Sequence, residues 1–198
     1  MQRYRHLTVF FLGLLFFSCS FNQEESVKLL PVTTNSELAR AYYETAIIAF
    51  DQIKYSDAID NFKRAIKEDP DFFMAYYWLY PLSGENAKKV AEIAFQIETE
   101  LSEGEAILLS AFKYSVGGQE EKAVEQVEKI ITLYPDDVMP YKILYLLQFQ
   151  IFKNLESARS TIEAAIKVKP DHAISYNMLG YALMDKLLPS VSPIEEAI

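Results

Sequence analysis

The sequence predicts an all-α chain built as an array of antiparallel helix pairs stacked side by side. Three observations predict it. Apolar residues recur at three- or four-residue steps along most of the chain, as one buried helix face requires. A single spacing of alanine, large apolar residue, small or apolar residue and proline returns three times: Ala58/Phe62/Ala65/Pro70, Ala123/Val127/Ile130/Pro135 and Ala158/Ile162/Ala165/Pro170. Aromatic residues make up 14% of the chain, enough to fill the space that alanine and glycine leave where helices cross. A helix pair cannot cover its own apolar face, so neighbouring pairs share one core.

The unit over residues 39–72 sets the pattern. Leu38, Tyr42, Ala46, Ala49 and Ile53 form one helical face, and Ser56 is placed to cap a second helix carrying Ala58, Phe62, Ala65 and Ile66. Asp69-Pro70-Asp71 ends it, because proline disfavours helical geometry in the residue before it. This unit resembles the tetratricopeptide repeat (TPR), a unit of about 34 residues. Small residues stand where the two helices cross (Ala46, Ala58, Ala65), with Phe62 and Pro70 at the other anchors. The one departure is Ala49, where the family carries an aromatic residue. The resemblance implies a right-handed TPR-type solenoid of four to five units, with further crossings at Ala123, Ala158, Ala165 and Gly180.

The chain begins with Arg3 and Arg5, then an apolar run over residues 7–17 that is too short to span a bilayer and fits a secretory signal. The run ends in Leu15-Phe16-Phe17-Ser18-Cys19, which resembles a bacterial lipobox. The resemblance implies removal of residues 1–18 as a lipoprotein signal peptide and lipidation of Cys19. An ordinary signal peptide is the rival reading, poorly served by Phe16 where a small residue is needed. Residues 19–36 are polar and read as a flexible tether. Ser20 after the cysteine implies, by the same resemblance, passage to the outer membrane.

The repeat domain is expected over residues 37–188. Its second unit is irregular, because Pro81 falls inside a first helix that should stop or kink at Tyr80, and a long second helix is expected over residues 86–101. Ser102 and Glu105 then have capping-box spacing. Two later units begin near Val138 and Ala173. The last is incomplete: residues 189–198 read as a tail or a truncated helix, which leaves Tyr181, Leu183 and Met184 partly uncovered, as expected of a fragment of a longer array or, alternatively, of a face that pairs with another copy or a partner.

Composition limits function. Removing residues 1–18 takes away Arg3 and Arg5 and no acid, carrying the net charge from −9 to −11. That acidity argues against nucleic acid and against electrostatic docking on anionic lipid. Past the signal, His172 is the one histidine and Cys19 the one cysteine, and no metal, nucleophile or phosphate-loop motif occurs. A non-catalytic chain without metal or cofactor is expected. In TPR domains the first helix of each unit lines the inner surface. The resemblance therefore marks a partner-binding groove at Arg40, Tyr43, Ile47, Phe50, Met74, Tyr77, Glu105, Leu108, Phe112, Met139, Lys142, Leu146, Phe149, Asn177, Tyr181 and Met184. Its apolar, aromatic surface suits an extended peptide or a helix laid in a groove. The reading is an envelope lipoprotein that binds a protein or peptide. The alternative is an accessory lipoprotein that binds carbohydrate or nutrient beside an outer-membrane transporter.

Overall fold

The computed structural model describes residues 27–187, so the expected signal, Cys19 and the tail over residues 189–198 lie outside the described residues. Among the described residues every regular element is helical. The first pair is α1 (Glu37–Asp51) and α2 (Tyr55–Glu68), and the second is α3 (Phe73–Leu79) and α4 (Ala87–Ala94). The third is α5 (Glu103–Val116) and α6 (Glu120–Leu133). The fourth is α7 (Val138–Leu146), continued by a π-helical turn over Leu147–Ile151, and α8 (Leu155–Val168). α9 (Ala173–Leu187) opens a fifth. The helices of each pair pack on one another, and α2, α6 and α8 pack on the helix that opens the next pair, the arrangement of a TPR-type array.

Local chemistry accounts for the boundaries. Ser36 caps α1 by accepting from the Ala39 N–H, and Ser102 and Glu105 close a reciprocal capping box at α5. α2 begins one residue before Ser56, at Tyr55, with Lys54 as its N-cap and no side-chain cap, so the cap expected at Ser56 is not formed. α2 ends at Glu68 because Asp69, before Pro70, turns extended at φ −141°. α3 ends at Leu79 and passes into a 3₁₀ turn over Tyr80–Leu82 that accommodates Pro81. The long helix expected over residues 86–101 is short: α4 stops at Ala94, and the chain leaves helical geometry so that Phe95, Ile97 and Leu101 can pack against the main core. The three-residue turns after α1, α5 and the π-helical turn each hold one left-handed residue, Ile53 (φ 61°), Gly118 (φ 69°) and Lys153 (φ 54°).

The small residues Ala46, Ala58, Ala65, Ala123, Ala158 and Ala165 are fully buried. Gly180 corrects the expected pattern. A Cβ built there meets nothing within 4 Å, because among the described residues no helix crosses α9 at that point. Tyr176, Leu183 and Met184 on α9 are exposed. The buried face of α1 keeps Ala46 and Ala49 but is displaced by one residue ahead of them, to Ala39 and Tyr43, leaving Leu38 half exposed and Tyr42 at the margin, and the expected Ile53 lies past the helix end, exposed in the turn. Two apolar clusters result. The main one runs from Leu30 to Leu147, and a smaller one joins Tyr145, Ala158, Ile162, Ala165, Met178 and Ala182.

The last nine or so residues before α1 depart from the flexible tether expected over residues 19–36. Leu30 is buried, and the backbone N–H groups of Lys28, Leu30 and Thr33 and the Thr34 hydroxyl donate to carboxylates distant in sequence.

Candidate functional site

Much of the inner surface is filled with protein. Tyr43 is 4% exposed, its ring 5.1 Å from that of Phe72 and 6.1 Å from that of Phe62. Met74 and Leu108 are fully buried. These three, expected in the groove, belong to the core. The inner ends of the helices close on one another as well: Phe50 packs edge-on against Trp78 of the next pair at 5.2 Å, and Asp51 pairs with Lys142 of α7 in the fourth. Arg40 is also occupied, donating to the Val32 carbonyl at 3.1 Å. Ile47 and Met139 pack partly buried against the core. Glu105 is fully buried in its capping box and in contacts to Thr33.

What stays open is a cleft of two lobes. The larger, ≈140 Å³, is lined by Phe50, Lys142, Leu146, Phe149, Asn177 and Tyr181 of the expected set, together with Asp51, Tyr55, Tyr145 and Met178. The smaller, ≈80 Å³, is lined by Phe50, Tyr77, Phe112 and Leu146, with Trp78, Tyr80, Pro81 and Ile151. Phe50, Leu146 and Gln150 line both. The π-helical turn therefore sits at the divide. Its wide spiral, with the Phe152 N–H bonded to the Leu147 carbonyl at 3.0 Å, buries Leu147 and Gln148 while Phe149, Gln150 and Ile151 line the lobes. Gln148 is held from behind by the Thr161 hydroxyl at 2.8 Å.

The aromatic lining is ordered. Tyr145 and Phe149 stack at 10° with centroids 5.3 Å apart, and the Tyr145 hydroxyl donates to the Met178 carbonyl at 2.8 Å. In the smaller lobe Tyr77 and Tyr80 meet Phe112 edge-on, and Phe95 backs the same ring from outside the lobe. Lys142 lies at the floor, 5% exposed, with Nζ 4.8 Å from the Trp78 ring centroid and 5.1 Å from that of Phe50. Burial pushes its pKa below the usual lysine value, and Asp51 opposes that shift. With that charge matched, the cleft offers apolar faces and a few neutral polar groups.

Sequence reasoning missed Asp51, Tyr55 and Trp78. Asp51 and Trp78 each follow an expected groove position, Tyr55 opens α2 across the turn from Phe50, and a pairing between α1 and α7 leaves no local signal. His172 bonds to the Ser175 hydroxyl through Nδ1 at 2.7 Å, and partial burial lowers its pKa. Among the described residues no group of three or more His, Cys, Asp or Glu is placed to hold a metal ion.

The helix pair that supplies Phe50 and Asp51 is also the part of the sequence with a family match. The tetratricopeptide repeat family model matches residues 43–79, from the middle of α1 to the end of α3. That stretch matches a tetratricopeptide repeat. Several solved structures are similar to the chain. TTC0263 of Thermus thermophilus is 19% identical, covering 76% of this chain and 84% of that one at a TM-score of 0.44. MamA is 18% identical, covering 77% and 84% at 0.38. YrrB, described as a TPR protein with an unusual peptide-binding site, is 18% identical, covering 75% and 77% at 0.35. No curated protein matches the sequence.

Proposed function

We propose that this chain is a non-catalytic scaffold of the bacterial cell envelope, exported and anchored by lipid on Cys19, that binds a protein or peptide partner. The two-lobed cleft around Phe50, Leu146 and Gln150 carries the reading. Its lobes are sized for bulky apolar side chains, and its aromatic walls are already held in place, so little ordering is needed on binding. The apolar run before Ser18-Cys19 supports the anchor. No described helix is long and apolar enough to cross a membrane. The exposed Tyr176, Leu183 and Met184 on α9 support self-association as a second contact of the same scaffold.

The anchor and the cleft are tested separately. Cys19→Ala should abolish labelling by a fatty-acid analogue and release the chain from membranes, and unchanged attachment removes the lipid anchor. Tyr181→Ala should weaken capture of the partner with the melting temperature little changed, and Phe149→Ala should weaken it while the chain stays folded at a lower melting temperature, because Phe149 also stacks on Tyr145. If both variants fold and capture as before, the partner binds elsewhere.

A further inference from the structure

The segment before α1 is built into the array at three separate turns. The backbone N–H groups of Lys28, Leu30 and Thr33 donate to Asp136 (2.9 Å), Asp137 (2.9 Å) and Glu105 (2.8 Å). The Thr34 hydroxyl reaches Asp69 in the turn between α2 and α3. Leu30 is buried, and its Cδ1 lies so close to Gly104 that a Cβ there would meet it at 2.3 Å. These are hydrogen bonds to carboxylates, stronger than neutral ones.

Two of the carboxylates have a second role. Asp137 accepts from Leu30 through Oδ2 and caps α7 through Oδ1, which accepts from the Met139 N–H at 2.8 Å. Glu105 accepts from Thr33 and also from the Ser102 N–H (3.1 Å) and hydroxyl (2.7 Å) of the α5 capping box. The segment thus holds the first turns of α5 and α7 in register. From Asp137 it is five residues to Lys142, the partner of Asp51, and α7 leads straight into the π-helical turn that divides the cleft.

We propose that residues 28–34 are a strap that keeps the inner surface shut. With the strap seated, Leu30 packs with Tyr134 over the bare Cα of Gly104 and its backbone, bonded to Asp137, fixes the α6–α7 turn. With the strap displaced, the space it leaves collapses or floods, because a vacated leucine site is costly to leave empty. Either way the α6–α7 turn moves, α7 draws Lys142 off Asp51, and the Trp78 floor opens. The device belongs to the chain itself, independent of any partner, and would turn a filled array into one with an accessible inner face.

Trp78 reports on this directly, being the only tryptophan and 1% exposed beneath Lys142. In the full chain, Leu30→Asp should remove hydrogen-exchange protection from residues 28–34. It should raise acrylamide quenching of Trp78 several-fold while the far-ultraviolet circular dichroism stays helical. A released strap with Trp78 quenched as in the wild type overturns the proposal. If Leu30→Asp does not fold, native-state exchange on the wild-type chain decides. The amides of the strap and of α7 should exchange through one opening with the same denaturant dependence. A strap that exchanges by itself, with α7 unaffected, overturns the proposal equally.

Discussion

Lys142 in the middle of α7 donates to Asp51, the last residue of α1, across 91 positions of sequence. The pair is enclosed by the rings of Phe50 and Trp78 and ties the first repeat unit to the fourth. A buried pair like this is a weak source of net stability, yet losing one partner strands the other. Lys142→Met should therefore destabilise the chain by about 3 kcal/mol in urea melts. Adding Asp51→Leu should restore most of the loss. Additive losses would mean that the two side chains are not energetically coupled.

Among the described residues the buried Tyr43 hydroxyl and the buried Trp78 indole N–H face each other outside good hydrogen-bond geometry. An unsatisfied buried hydroxyl costs more than its absence. Tyr43→Phe should therefore change stability by less than about 1 kcal/mol at neutral pH, since it removes one poorly paired group and leaves the Trp78 N–H alone. A loss larger than that would show that the hydroxyl has a partner in solution.

Alkaline pH separates two opposite linkages. Burial raises the pKa of Tyr43 and Tyr77 above the usual 10.0, so the unfolded chain ionises where the folded chain does not. Their stabilisation is complete below pH 10 and is lost as pH rises beyond it. Burial instead lowers the pKa of Lys142 below 10.5, so the unfolded chain holds a proton that the folded chain sheds. Stability from that group rises with pH over the interval below 10.5. Melting temperature against pH should thus fall steeply only above about pH 10.5, where the lysine no longer opposes the tyrosines. Tyr77→Phe should flatten the fall, and an unchanged slope would contradict the assignment.

Lys153 and Ile53 sit at φ 54° and 61°, where Gly118 stands in the third unit. Side chains at such angles are strained, and glycine is not. Lys153→Gly should stabilise the chain by about 1 kcal/mol, the sign opposite to most glycine substitutions. Gly118→Ala should destabilise it by a similar amount. A thermal melt of each variant checks both.

These turns also show what the sequence carried and what it did not. The recurring alanines, Pro81 and the Ser102/Glu105 spacing encode helix pairs, a break and a cap within a few residues of themselves, so they are visible locally. The one-residue shift of the α1 face was not visible, because both Leu38/Tyr42 and Ala39/Tyr43 have helical spacing and only the neighbouring helices choose. The strap reads as linker because its order comes from Glu105, Asp136 and Asp137, more than 70 residues away. The groove positions Tyr43, Met74 and Leu108 were assigned to an open surface. How tightly the array closes on itself depends on contacts such as Asp51–Lys142, which no period records.

Gly104 tests whether the strap is seated in solution. In the first turn of a helix, alanine is favoured over glycine by up to about 1 kcal/mol. Here a Cβ would come within 2.3 Å of Leu30 Cδ1 and 2.6 Å of Tyr134 Cε2. Gly104→Ala should lower the melting temperature and loosen the Leu30 amide in hydrogen exchange. A rise in melting temperature would mean that the strap does not occupy that seat.

A partner held in the cleft around the π-helical turn is the central claim, and site-specific photocrosslinking in cells addresses it most directly. A photoreactive phenylalanine analogue at Phe149 or Tyr181 should give one crosslinked protein in common, absent when the analogue stands at exposed Lys129 on α6. Crosslinks that are equal at all three positions, or absent from Phe149 and Tyr181 while present at Lys129, would contradict it.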